Sequence, residues 1–187
     1  MGIKVAEELE ILKDVCQRLE KGNIPYMITG SVAANLYAVP RMTRDIDIVI
    51  QIKREDTDRL TEIFKEDFYI DQDSIIEAIE KEGMFNIIHT ESVFKVDFIV
   101  QKNSPYRKLE FQRRRRTQME ETPLWVVTPE DLILSKLFWA KESASELQLG
   151  DVRNLLHTLK DIDQNYLEKW VDSLGLKELY AKAKKDE

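Results

Sequence analysis

Two aspartates one residue apart, Asp45 and Asp47, stand in the run Arg44-Asp45-Ile46-Asp47-Ile48-Val49-Ile50. In an extended strand alternate side chains share a face, so both carboxylates project from one side while Ile46 and Ile48 point the other way. Adjacent carboxylates repel each other unless a cation lies between them. Upstream, Ile28-Thr29-Gly30-Ser31 ends an apolar stretch in a Gly-Ser pair. A glycine there lets the backbone approach a phosphate, and a following helix aims its free amides at the same anion. A third carboxylate, Asp97, sits inside Val96-Asp97-Phe98-Ile99-Val100, where a lone charge is costly to desolvate without a partner. Lys95 is its nearest candidate partner. The set describes a divalent-metal site facing a phosphate-binding turn. Two metals on shared carboxylates activate an attacking oxygen and stabilise a leaving pyrophosphate. Positioning and charge neutralisation, rather than a covalent intermediate, lower the barrier of such a transfer.

The elements that must hold these groups follow from apolar periodicity. Val5, Leu9, Leu12, Cys16 and Leu19 recur at helical spacing and predict a helix over 4–21, ended by Lys21-Gly22. Short strands are expected at 25–29 and 44–52, with a brief helix over 31–38 stopped by Pro40. Helices over 56–65 and 74–81 flank a short strand at 68–70. Met84–His89 and Phe94–Val100 form two apolar runs around Thr90-Glu91-Ser92, an antiparallel hairpin pattern. From Lys102 to Arg116 the composition turns basic; a last strand is expected at 124–127. Thr128-Pro129-Glu130-Asp131 has the form of a helix start, and helices over 132–140, 150–159, 165–174 and 176–182 complete the chain. The fold class is α/β (α+β): a mixed twisted sheet flanked by helices, with a C-terminal helical bundle. The boundary is placed between a core at 1–127 and a helical domain at 128–187.

At 187 residues and 43% hydrophobic content, the chain can bury a real interior. The net charge of -7 argues against broad nucleic-acid coating, which needs a basic face. One cysteine, Cys16, forms no intramolecular disulfide, which fits a reducing, cytoplasmic setting. No run reaches the length of a membrane span, and an early acidic N-terminus is unlike a signal peptide.

Gly30-Ser31, thirteen intervening residues, Asp45-Ile46-Asp47 and later Val96-Asp97-Phe98 resemble the signature of the nucleotidyltransferase superfamily of the DNA polymerase beta type. Thr128 to Leu137, followed by Asp151-Val152-Arg153-Asn154-Leu155-Leu156, resembles the helical half of small bacterial nucleotidyltransferases of the abortive-infection toxin and antibiotic adenylyltransferase types. The likeness spans roughly residues 25–160. It implies a Mg²⁺-dependent transfer of a nucleoside monophosphate from an NTP, ATP among the candidates, to a hydroxyl acceptor. Two Mg²⁺ ions would be held by Asp45, Asp47 and Asp97, which are also the catalytic set. Gly30 and Ser31 would hold the β- and γ-phosphates. Lys136 is implied at the triphosphate with Asp151 supporting it, and Arg44, like Arg41, flanks the metal strand within reach of phosphates. A small molecule, a tRNA 3′ end and a protein hydroxyl all fit such a core as the acceptor. One departure is Gly-Ser-Val-Ala-Ala-Asn where antitoxin-type relatives have Gly-Ser-x-Ala-Arg-Gly.

Plainer roles stand beside these. Ser31 and Asp151 have the residue types of helix N-caps, and Lys136 that of a solvated helix position. Met42 and Trp139 are expected to pack, and His89 and His157 to be structural. The four consecutive arginines, Arg113 to Arg116, cannot share one face. They either pair with acidic residues or form an electropositive rim for a triphosphate or RNA backbone, where Tyr106 and Phe111 could stack on bases. A competing function is a nucleotide- or partner-binding regulatory module of a toxin–antitoxin-like system, and the helical tail is a candidate homodimer surface.

Overall fold

The structure is a computed structural model that describes residues 2–43 and 45–185. Its first helix, α1 (Gly2–Lys21), buries Leu12, Val15, Cys16 and Leu19, as the spacing predicts. The residue that turns the chain out of it is Asn23, with a left-handed φ of 53°, rather than Gly22. Asparagine tolerates this region better than most side chains. The chain continues through β1 (Tyr26–Ile28), α2 (Gly30–Tyr37) and β2 (Asp45–Ile50). Next come α3 (Thr57–Phe64), β3 (Phe68–Tyr69), α4 (Gln72–Glu80), β4 (Met84–His89) and β5 (Lys95–Val100).

Among the described residues the strands form one seven-stranded sheet in the order β3-β4-β5-β2-β1-β7-β6. The expected hairpin is present as antiparallel β4 and β5. β5 also lies parallel to β2, with Asp45 opposite Lys95 and Asp47 opposite Asp97. This pairing separates two faces. Ile46, Ile48 and Ile50 join Val96, Phe98 and Val100 in the core, all at most 5% exposed. The opposite face carries Asp45, Asp47, Lys95 and Asp97, because side-chain period 2 and an in-register parallel pair leave no other arrangement.

Two elements were not expected. α5 (Pro105–Arg113) starts at Ser104, whose hydroxyl accepts from the Arg107 amide with proline in the first turn, and β6 (Arg115–Met119) pairs antiparallel with β7 (Thr122–Val126). The arginine run therefore spans a helix end and an edge strand. Tyr106 and Phe111 are buried, so neither offers a stacking surface. Arg107, Arg113 and Arg116 pair with Glu110, Asp131 and Glu20, respectively.

After β7 come α6 (Pro129–Ser143), α7 (Glu146–Thr158), α8 (Gln164–Ser173) and α9 (Lys177–Lys185). Thr128 caps α6, its hydroxyl accepting from the Asp131 amide. α6 is buried on nearly every side, Leu132, Ile133, Leu134 and Leu137 being inaccessible, because it packs against α2, α7, α8 and α9. Among the described residues no helix is long and apolar enough to cross a membrane.

Candidate active site

Gly30 opens the site at the end of β1. Its φ of +63° is left-handed, and a Cβ added there would lie 2.0 Å from Asp47 Oδ2. Both the backbone conformation and the contact exclude a side chain. The Thr29 amide donates to the Asp47 carbonyl at 3.0 Å, which fixes the turn against β2. The Gly30 turn and the aspartate strand are thus packed directly on each other.

Asp47 and Asp97 stand side by side on neighbouring parallel strands, which lie about 4.8 Å apart. Asp97 is 8% exposed; Asp45, one pleat earlier, is open to solvent. Burial, with repulsion from Asp97 and Asp45, pushes the Asp47 carboxyl up to about 6, against the pull of Lys136 and Lys95. Lys95 Nζ lies 2.8 Å from Asp97 Oδ2 and 3.6 Å from Asp45 Oδ1, so the partner suggested by sequence is present and touches two aspartates. Among the described residues no three carboxylates, histidines or cysteines converge tightly enough to hold an ion without rearrangement.

A second charged cluster sits across the turn. Asp151 is 6% exposed in the body of α7; Ser145 caps that helix, so the N-cap role considered for Asp151 does not hold. Arg41 donates to both Asp151 oxygens, at 2.7 and 2.9 Å, and to Ser31 Oγ at 2.7 Å. Lys136 Nζ donates to Asp151 Oδ2 at 2.6 Å and to Gln148 Oε1 at 3.1 Å. Burial works against the ionised Asp151, but the bonds from Arg41 and Lys136 outweigh it and hold the carboxyl below its usual range. Lys136 is buried, not solvated, and desolvation draws its ammonium below the usual lysine value, with Asp151 opposing. Ser31 does not cap α2: the helix begins at Gly30 after Thr29, with no side-chain cap bond.

A cleft of about 240 Å³ is lined by Gly30, Asp47, Ser135, Lys136, Trp139 and Gln148, among others. It brings Gly30, Asp47 and Lys136 to one space. Ser31 and Asp151 stand behind it, joined through Arg41, while Asp45 and Asp97 adjoin Asp47 on the sheet. Arg44 lies outside the described residues. Leu132, Ser135, Lys136 and Trp139 share one helical face at spacings of three and four, and that face lines the cleft. Trp139 is 45% exposed and Met42 63%, so neither is the packing residue expected. Being on the same face as Lys136 is the sequence signal that would have placed Trp139 at the cleft. The bidentate role of Arg41 carried no local signal, since its partner is far along the chain.

Three solved structures share this architecture. An antigenic nucleotidyltransferase-like protein from Paracoccidioides brasiliensis is 19% identical, with 94% of this chain and 91% of that chain covered and a TM-score of 0.57. The lincosamide antibiotic adenylyltransferase LnuA, solved with lincomycin bound, is 13% identical over 82% of this chain and 97% of its own, at a TM-score of 0.55. The antibiotic-resistance factor ANT(2'')-Ia is 14% identical over 95% and 91%, at 0.50. No protein-family model matches the sequence, and no curated protein matches it. The chain has the nucleotidyltransferase fold, the α/β class that the sequence resemblance implied.

Proposed function

We propose that the protein is a Mg²⁺-dependent nucleotidyltransferase that moves an NMP from an NTP to a hydroxyl acceptor and releases pyrophosphate. The observation that carries this reading is the in-register pair Asp47 and Asp97, packed on a side-chain-free turn at Gly30. The donor set suits Mg²⁺: hard carboxylate oxygens, burial and like charge that together raise Asp47, and an ammonium already drawn between Asp45 and Asp97. Asp45, Asp47 and Asp97 are the residues that would hold the ions, after closing inward from their present positions. Bound there, Mg²⁺ would neutralise the triphosphate and favour departure of pyrophosphate.

The remaining steps belong to the chain's own groups. Gly30 presents bare backbone and the α2 amides to the β- and γ-phosphates. Lys136, held by Asp151 and Gln148, directs a fixed positive charge into the cleft. Arg41 ties Ser31 to Asp151, which links the turn to α7. The acceptor hydroxyl forms a bond to the α-phosphorus as the α–β bridging bond breaks, and its proton passes to Asp97. LnuA is described as an antibiotic adenylyltransferase, which supports small hydroxyl compounds as first acceptors to test.

The test is incubation with each α-³²P-labelled NTP and Mg²⁺, against lincosamides, aminoglycosides and tRNA. A labelled product with an equal amount of pyrophosphate, absent for Asp47→Asn, is expected. Tight nucleotide binding with no transfer to any acceptor would instead support the regulatory-module reading.

A further inference from the structure

Lys95 and Lys136 both place a positive charge near Asp47, yet they are held very differently. Lys136 is 3% exposed and locked by Asp151 and Gln148. Lys95 is 40% exposed along its side chain, and its partners are Asp97 Oδ2 at 2.8 Å and Asp45 Oδ1 at 3.6 Å. Those two carboxylates come from different strands, and Lys95 itself stands opposite Asp45 in the register. Its ammonium therefore occupies the space between two groups that a divalent ion would have to share. A flexible four-carbon stem at a half-open strand position can carry the charge out to water with little loss of packing. Lys136, 3% exposed and bonded to Asp151 and Gln148, is tied in place.

We propose that Lys95 is a built-in counter-ion of the carboxylate site, one that keeps the metal-free strands together and must be displaced when a divalent cation enters. The inference rests on the metal reading given above and extends it to a residue with no part in that chemistry. It makes Lys95 a competitor for metal: the free protein is protected from carboxylate repulsion, and metal entry is weakened in proportion. The selectivity that follows is for a cation delivered with its nucleotide, since the added phosphate ligands offset the cost of displacing the ammonium.

The test uses the whole chain without nucleotide and follows free Mn²⁺ by its EPR signal. Lys95→Met should bind Mn²⁺ about tenfold more tightly than the wild type, because a positive charge within a few ångströms of the ion is gone. Lys95→Arg, which keeps the charge, should stay near the wild type. Metal-free Lys95→Met should also melt below the wild type, with the difference removed by Mn²⁺. Unchanged or weaker Mn²⁺ binding by Lys95→Met, with wild-type binding that is lost in Asp47→Asn, would overturn the role of Lys95 and leave the metal site standing. Absence of Mn²⁺ binding in both the wild type and Lys95→Met would overturn the metal site and this proposal together.

Discussion

Two groups of wholly or partly buried carboxylates meet opposite fates in this molecule. Asp131, fully inaccessible, is saturated: Arg113 Nε at 2.9 Å, the Tyr166 hydroxyl at 2.6 Å and the Thr128 hydroxyl at 2.6 Å all donate to it. Next to it, Glu110 is bound by Arg107 and Ser135. These bonds join α5, α6 and α8, and Asp131 lies outside the cleft lining. Asp47 and Asp97 instead stand side by side, next to a cleft, with Lys95 as a half-exposed counter-ion. Saturated buried charge fixes architecture, whereas under-compensated charge beside a cavity is the arrangement the proposed metal–nucleotide site requires.

The comparison breaks first if the two groups respond alike to truncation. Asp47→Ala should lower nucleotidyl transfer on the order of a thousandfold or more while the protein stays folded, because it removes a proposed metal ligand and relieves repulsion. Parallel activity and circular dichroism measurements check both halves. Asp131→Ala should do the reverse in kind, costing about 3 kcal/mol or more of stability in urea denaturation by leaving donors unpaired in the interior. If Asp47→Ala unfolds the protein and Asp131→Ala does not, the assignment of roles is wrong.

A smaller effect sharpens the role of the cleft cation. Lys136→Met should raise KM for the NTP about tenfold, the scale of one charge-assisted hydrogen bond, with Arg41 still neutralising Asp151. Steady-state kinetics against NTP concentration would show it, and an unchanged KM would remove Lys136 from the triphosphate site.

The smallest effect concerns pH. Asp47 is pushed up to about 6 from an ordinary value near 3.8, so the folded state binds its proton more tightly than the unfolded chain. Its stabilising contribution is complete below about pH 4 and is lost as pH rises through about 6. Metal-free Asp47→Asn should therefore melt higher than the wild type at pH 8, by about 3 °C for each 1 kcal/mol of penalty removed, and the gain should vanish by pH 4. A gain that is the same at both pH values would contradict the burial and crowding of Asp47.

Much of this site was legible in local pattern. Asp45 and Asp47 are marked by the isoleucines that alternate with them, Gly30 by its place after an apolar strand, and α6 by Thr128-Pro129. What stayed hidden depends on partners far along the chain or on competing local signals. Asp151 reads locally as a cap beside Gly150; the family resemblance put it with Lys136, but nothing local pointed to its bonds from Arg41. α5 has a Ser104-Pro105 start, but the basic composition of the run masked it. The pairing of Asp47 with Asp97 required β5 to lie between β4 and β2, a choice of strand order that no spacing within either strand encodes.

The central claim, that the crowded carboxylates await a metal–nucleotide complex, is tested most directly by thermal unfolding. The wild type and the Asp45→Ala/Asp47→Ala variant would be melted with each NTP, with and without Mg²⁺. At 100 times its dissociation constant, a ligand that binds only the folded state adds about 2.7 kcal/mol of stability. The account predicts a Mg²⁺-dependent rise with at least one NTP that is absent from the variant. An equal rise in both proteins, or none with any NTP, would contradict it.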